Sequence, residues 1–261
     1  MELDDLRHAP KYLEDLRTRV GYIVHHFDVV TSTQDVAREM AEEGAPEGTV
    51  VLAEEMVAGK GRLGRKWHAG RGGLWMTIVV RPSVSPREAQ LLSIASSVAV
   101  VEAARRTLGV ELGIKWPNDV LFKGKKVAGV LVETSISGMR VVYSLVGIGV
   151  NVNNEIPPEL RQTAVSLKEL TGTSIPRIPL LRSLLESFDD LYGNLERGDA
   201  RAVISRWKAC SATIGRKVRV VCWDGVLEGV AIDVAGDGSL LLKADNGSIL
   251  VVNAGEVVHL R

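Results

Sequence analysis

Two cysteines, no apolar run long enough to cross a bilayer and no excess of either charge narrow what this 261-residue chain can be. Cys210 and Cys222 lack C-x-x-C spacing and make a poor disulfide framework for a secreted protein. They are read as reduced, buried thiols of a cytoplasmic chain. The longest apolar stretch, near Val141 to Val150, is too short for a membrane span, and the N-terminal MELDDLRHAPKYLEDLRTR is too charged for a signal peptide. Lys plus Arg (32) balance Asp plus Glu (32), so global charge does not point to nucleic acid or another polyanion. There is no repeat, no low-complexity segment and no His/Cys cluster suited to a dedicated metal site, so no protein-held metal is expected.

What is present is ordinary for a soluble globular protein: 46% hydrophobic and 25% charged residues, in a chain long enough for one large domain or a larger one plus a small one. After a short polar lead-in, Tyr22 to Val30 reads as a strand, and TSTQDVAREMAEEG as a capped helix ending near Gly44. Thr49 to Glu54 and Leu74 to Val80 read as strands. Ser85-Pro86-Arg87-Glu88 is a capping box that opens a long apolar helix closing at Gly109. From Lys115, three apolar segments with short links predict an antiparallel meander, because parallel neighbours need a long crossover. Helices are expected at about Pro179 to Glu196 and Ala200 to Ala209, the second capped by Asp199. The last fifty residues are short strands separated by Asp-Gly, Gly-Asp-Gly and Asn-Gly turns, which predicts a small β-barrel from about Thr213.

The stretch AGKGRLGRKW contains G-x-G-x-x-G at Gly59, Gly61 and Gly64, the spacing of a dinucleotide fingerprint. A strand precedes it, but RKWHAGRGGLW after it has no helical period, and Val80-Arg81-Pro82 stands where the ribose-binding acid belongs. A P-loop needs Lys-Ser/Thr after its last glycine, where Arg65-Lys66 stands, and a kinase loop needs Val at Lys66. What remains is composition: no acid lies between Glu55 and Glu88, while Lys60, Arg62, Arg65, Lys66, Arg71, Arg81 and Arg87 are basic. Such a loop could fold over an anionic ligand, or be a solvated basic loop or nucleic-acid patch.

Other stretches offer polar chemistry beside small residues. KWPNDV presents Lys115, Asn118 and Asp119 around a Pro117 turn, fit for a phosphate, a carboxylate or a ribose, or for turn chemistry alone. KKVAGVLVE places Lys126 before Ala128-Gly129, where a fixed cation could stabilise developing negative charge, or be a solvent-exposed hairpin lysine. Gly147-Ile148-Gly149 with Asn151 could floor a purine site or mark a bulge. Ser32 and Thr33 stand where a helix begins and can cap it, receive a polar ligand head, or do both.

In order and spacing, GKGRLGRKW, KWPNDV, KVAGVLVE, the Ser32-Thr33 pair and GIGVNVN closely resemble the biotin protein ligase family over about Ile23 to Asn153. The terminal β region extends the resemblance over nearly the whole chain. It implies an α+β fold: a catalytic domain (1–212) like the core of class II aminoacyl-tRNA synthetases, largely antiparallel, and a C-terminal SH3-like barrel (213–261). It implies that biotin and ATP, with Mg²⁺, give biotinyl-5′-AMP and pyrophosphate, and that biotin then passes to one lysine of a biotin carboxyl carrier domain. By the same resemblance Ser32, Thr33 and Gln34 would contact the bicyclic ring, and Gly61, Arg62 and Lys126 the tail and carboxylate, with Met56, Lys60 and Gly129 also on the biotin side. Lys126, Arg62, Lys115 and Asp119 would carry catalysis. Arg62, Arg65 and Trp67 would close over the adenylate, with Trp75, Lys115, Asn118, Asp119 and Asn151 on the nucleotide side. Arg261 could reach the nucleotide, or be a disordered end.

The chain departs from the family pattern at Met56, where many relatives carry a biotin-contacting Gln, and at Lys60, a point cation in place of an arginine fork. About twenty residues precede Gly21, too few for the winged-helix DNA-binding domain of some relatives, so a ligase without repressor function is expected, with a homodimer as a further expectation. The competing readings are a lipoate or octanoate ligase or transferase of the same fold, and a nucleic-acid-binding module using the basic loop.

Overall fold

The computed structural model describes residues 6–223 and 225–260. The lead-in is structured. A 3-10 turn (Leu6–His8) and a short helix α1 (Ala9–Tyr12) precede β1 (Ile23–Val30), and Leu6, Ala9, Leu13 and Val20 are buried. The expectation of a merely polar lead-in is therefore corrected: four apolar side chains spaced among the charges bury against the core. Helix α2 (Thr33–Glu42) begins at the N-cap Ser32, and β2 (Thr49–Met56) and β3 (Leu74–Val80) follow. The capping box at Ser85 forms, but it opens a 3-10 turn (Glu88–Gln90) that leads into α3 (Leu91–Leu108). Gly109 closes α3 with the left-handed φ of 66°.

Strands β4 (Gly113–Lys115), β5 (Asp119–Phe122), β6 (Lys125–Ser137) and β7 (Arg140–Val150) complete a seven-stranded sheet in the order β1-β2-β3-β7-β6-β5-β4. The β5-β6-β7 meander is antiparallel as expected, and among the described strands only β1 and β2 pair in parallel, joined through α2. After α4 (Leu167–Thr171), the helices α5 (Arg177–Glu196) and α6 (Ala200–Ala209) pack with α3.

Alternation along the strands gives the sheet two unlike faces. Leu52, Met76, Ile78, Val130, Ile148 and Val150 belong to the large core built with α3 and α5. Val51, Val79 and Leu145, on the other face, are covered by Ala37 and Ala41 of α2. That second face is only half covered by helix, which leaves room for a site.

The terminal region holds β8 (Lys217–Cys222), β9 (Gly225–Val234), β10 (Leu240–Lys243), β11 (Ile249–Val252) and β12 (Glu256–His259). The expected barrel is a five-stranded antiparallel sheet, β11-β10-β9-β8-β12, and among the described residues no pairing closes β11 onto β12. Its apolar side chains, Val218, Val220, Leu240, Leu242 and Val257, join the same continuous core as the large sheet instead of closing on themselves. Arg261 lies outside the described residues. Neither cysteine is in a disulfide and both are half-buried, not buried as expected, and burial raises the Cys210 pKa. No helix among the described residues is long and apolar enough to cross a membrane.

Candidate active site

The helix-poor half of the α2 face is made of glycine. Gly129 of β6 and Gly147 and Gly149 of β7 lie on it, with Gly129 paired to Gly149 and Gly147 to Leu131. A Cβ on Gly149 would stand 2.8 Å from the Trp67 indole, and one on Gly147 would stand 2.9 Å from Gln34 Oε1. Missing side chains thus open a cavity of about 140 Å³ between the sheet, the start of α2 and the glycine loop. Its lining includes Ser32, Thr33, Gln34, Met56, Lys60, Gly61, Arg62, Lys126 and Gly129, the whole set expected on the biotin side.

At the start of α2, Ser32 accepts the Gln34 N–H at 3.2 Å, so its hydroxyl caps the helix. The next free N–H, that of Thr33, points at Met56 Sδ, 3.3 Å away, and Thr77 Oγ1 donates to Thr33 Oγ1 at 2.9 Å. The thioether of Met56 therefore serves as an acceptor for the helix start.

Charge is concentrated where the first cavity meets a second of about 800 Å³. Asp119 holds two cations, Lys126 Nζ at 2.6 Å on one oxygen and Lys115 Nζ at 2.9 Å on the other. Burial alone would raise the Asp119 pKa, but the two ammonium groups outweigh it, and the carboxyl lies below its usual range. With both oxygens engaged, this carboxylate positions cations and is poorly placed to serve as a base. The backbone of Lys126 is clamped as well: its N–H donates to Thr163 O at 2.7 Å and its carbonyl accepts from Val165 at 3.0 Å.

The glycine loop crosses this centre as a folded hairpin. Gly61 N–H donates to Arg65 O at 2.7 Å and Trp67 N–H to Gly59 O at 2.8 Å, while Leu63 and Gly64 take left-handed φ values of 57° and 72° at the tip. Lys60 pairs with Asp35 of α2, and Arg65 pairs with Glu256 of β12. Arg62 donates to Asn118 Oδ1 at 3.1 Å and to Gly255 O at 3.3 Å. Burial lowers the Arg62 pKa, and nearby Asp119 opposes that effect. Trp67 lies on the Gly129–Gly149 floor with Lys126 Nζ 5.0 Å from its ring centre, so the loop roofs both cavities.

Comparison with known proteins settles the kinship. Residues 26–151 match the Biotin/lipoate A/B protein ligase family, and residues 213–260 match the Biotin protein ligase C terminal domain. The bifunctional ligase/repressor BirA of Bacillus subtilis is 35% identical over 238 residues, covering 89% of this chain and 73% of that protein. The biotin–[acetyl-CoA-carboxylase] ligase of Mycobacterium tuberculosis is 34% identical over 259 residues, 95% of this chain and 94% of that one. This chain belongs to the biotin protein ligase family. Among solved structures, the biotin protein ligase from Aquifex aeolicus in complex with biotin and ATP superposes with a TM-score of 0.80 at 29% identity, over 91% of this chain and 98% of that one.

As a biotin protein ligase, the chain is an enzyme, and its site has features suited to a polar heterocycle. Gln34 Oε1 and Trp67 Nε1 are buried without a hydrogen-bond partner beside the first cavity. The second cavity is lined by Arg65, Trp67, Lys115, Asp119, Lys126 and Asn151. Asn151 turns its Nδ2 toward Lys126 O at 3.5 Å, while its Oδ1 accepts from Asn154 at 3.2 Å. Asn118 is elsewhere: it lines the first cavity, donating to Val130 O at 2.5 Å and holding Arg62. Trp75 lines neither cavity. It is fully buried behind Trp67, 6.1 Å between ring centres, and donates to Gly70 O at 2.9 Å.

The sequence reading missed Asp35, Glu133, Gly255, Glu256, His259 and the 163–165 segment. Glu256 was findable in part, as an acid in a β-rich stretch opposite a loop with none. The segment that clamps Lys126 carries no distinctive side chain, since it acts through its backbone.

Proposed function

We propose that this enzyme joins biotin and ATP, with Mg²⁺ arriving as part of the ATP complex, to form biotinyl-5′-AMP and pyrophosphate. It then passes the biotinyl group to one lysine of a biotin carboxyl carrier domain. The observation that carries this reading is Lys126 at the junction of two cavities, its ammonium held by Asp119 and its backbone clamped on both sides.

In the first step a biotin carboxylate oxygen attacks the α-phosphorus, and the bond to the pyrophosphate oxygen breaks. Lys126 and Arg62 balance the charge gathered between the two anions. In the second step the acceptor amine attacks the acyl carbon, the C–O bond to AMP breaks, and the amine proton leaves to solvent. Neither step needs a protein nucleophile. What the enzyme contributes is alignment and exclusion of water from a hydrolysable mixed anhydride, and a glycine-floored cavity under a hairpin supports both.

On this reading Ser32, Thr33, Gln34, Met56, Lys60, Gly61 and Gly129 serve the biotin side. Arg65, Trp67, Lys115, Asp119 and Asn151 serve the nucleotide, with Asn118 acting through Arg62 and Trp75 through Trp67. The catalytic and terminal domains are taken to meet between residues 212 and 213. Balanced charge supports a protein partner over DNA, the absence of a disulfide between the cysteines supports a cytoplasmic setting, and exposed Ile23 and Val29 on the edge strand β1 support a homodimer. Light scattering reads that last point.

The deciding experiment is exchange of labelled pyrophosphate into ATP with biotin, lipoate or octanoate. Exchange with biotin is expected. Exchange with lipoate or octanoate alone overturns the substrate, and salt-sensitive DNA binding without exchange overturns the reaction.

A further inference from the structure

Gln34 lines the first cavity. Oε1 is buried with no partner, while Nε2 donates to Glu133 Oε2 at 2.7 Å and reaches Leu131 O at 3.5 Å. The same Glu133 oxygen takes Arg38 NH2 at 3.0 Å. Glu133 is not part of the cavity wall.

A carboxylate can only accept hydrogen bonds, so the end of Gln34 that faces Glu133 must be its N–H₂ group. The carbonyl end is then the buried Oε1, packed over Gly147 of the cavity lining. Space for that arrangement comes from Gly147, since any Cβ there would stand 2.9 Å from Oε1. Without the carboxylate, an amide can turn over and offer donors where it had offered an acceptor.

We propose that Glu133, steadied by Arg38, is a positioning residue that fixes the Gln34 amide so that its carbonyl accepts a ring N–H of the ligand's bicyclic urea. The inference rests on biotin as the substrate. It assigns donor–acceptor polarity to one wall of the ring pocket: an N–H edge is accepted, and an edge that presents only lone pairs is refused. On that reading Lys126 and Arg62 recognise the charged end of the ligand and do not supply this discrimination.

The test uses the full chain and equilibrium binding beside steady-state kinetics, with biotin and two cyclic-carbamate analogues in which oxygen replaces one or the other ureido N–H. Glu133→Gln should weaken biotin binding and raise its KM about tenfold, the size of one well-aligned hydrogen bond, with kcat at saturating biotin changed less than about twofold. One analogue, which lacks the N–H facing Gln34, should bind wild type about tenfold more weakly than biotin and lose nothing further in Glu133→Gln. In a Gln34→Ala background, Glu133→Gln should have no effect on biotin.

Equal losses on biotin and both analogues, or a full loss in the Gln34→Ala background, overturn the positioning role, as does unchanged biotin binding in Glu133→Gln. If Glu133→Gln melts below the assay temperature, Arg38→Gln is expected to show the same analogue pattern with a smaller loss, and absence of that pattern overturns the proposal. Failure of wild type itself to bind biotin would instead sink the substrate assignment.

Discussion

The indole of Trp67 occupies the space that a side chain on Gly149 would need, 2.8 Å from an ideal Cβ. The loop and the sheet are therefore fitted to each other at a position that carries no functional group. Gly149→Ala is expected to lift Trp67 from the floor and raise the KM for ATP about tenfold or more, because an ångström of misplacement near a reacting centre is costly. Tryptophan fluorescence should report the displaced ring. Wild-type kinetics in the alanine variant would show that the loop need not seat there.

Lys126 lines both cavities, and Asp119 fixes it at 2.6 Å. Lys126→Ala should slow single-turnover adenylate formation by about a hundred- to a thousandfold, the usual loss on removing one preorganised stabilising group. Lys126→Arg should recover little of it, since a guanidinium fork does not reproduce a point charge. Adenylate formed at near-normal rates by the alanine variant would remove this lysine from the mechanism.

Arg62 ties the hairpin to Asn118 on one side and to Gly255 on the other. Arg62→Ala is expected to weaken biotin binding about tenfold and to speed the escape of adenylate, measured by trapping labelled intermediate on a rapid filtration column. Retention equal to wild type would mean that the hairpin is not a lid.

His259, half-buried beside Thr213, has its pKa lowered from 6.5 to about 4 by burial, with Arg216 and Lys115 adding to the effect. The unfolded chain takes up this proton as pH falls below 6.5 and the folded chain does not until about 4, so stability should decline across that window. Solvent screening at a half-exposed group holds the effect to about 1 kcal/mol. Urea unfolding at pH 7.5 and 5.0 should show a smaller difference for His259→Gln than for wild type. An equal difference in both proteins would place the pH dependence elsewhere.

Much of the site was readable because its residues stand at ends of strands with clear apolar patterns: Lys115 and Asp119 about the Pro117 turn, Lys126 at the start of β6, the glycines of β7. The long helix α3 and the β5-β6-β7 meander announced themselves by period and by short links. What escaped depends on partners far apart in sequence. The all-basic loop implies that some acid faces Arg65 but not that it is Glu256, some 190 residues on, and nothing near Gln34 foretells Glu133. The parallel pairing of β1 with β2 and the burial of Leu6 and Leu13 are likewise tertiary outcomes. Barrel closure was inferred from turn spacing, which determines hairpins but not whether the two outer strands meet.

The junction between the large sheet and the terminal sheet is cut to measure. Trp116 sends its backbone N–H to Thr213 Oγ1 at 3.0 Å and its indole N–H to Gly238 O at 2.9 Å, from the same turn that carries Asn118 and Asp119. Chimaeras that graft another relative's terminal segment at residue 213 inherit a foreign seat for that turn. Recombination between homologues should tolerate crossovers before Trp116, such as within α3, far better than at this apparent seam, because only then do the turn and its seat at Thr213 and Gly238 travel together.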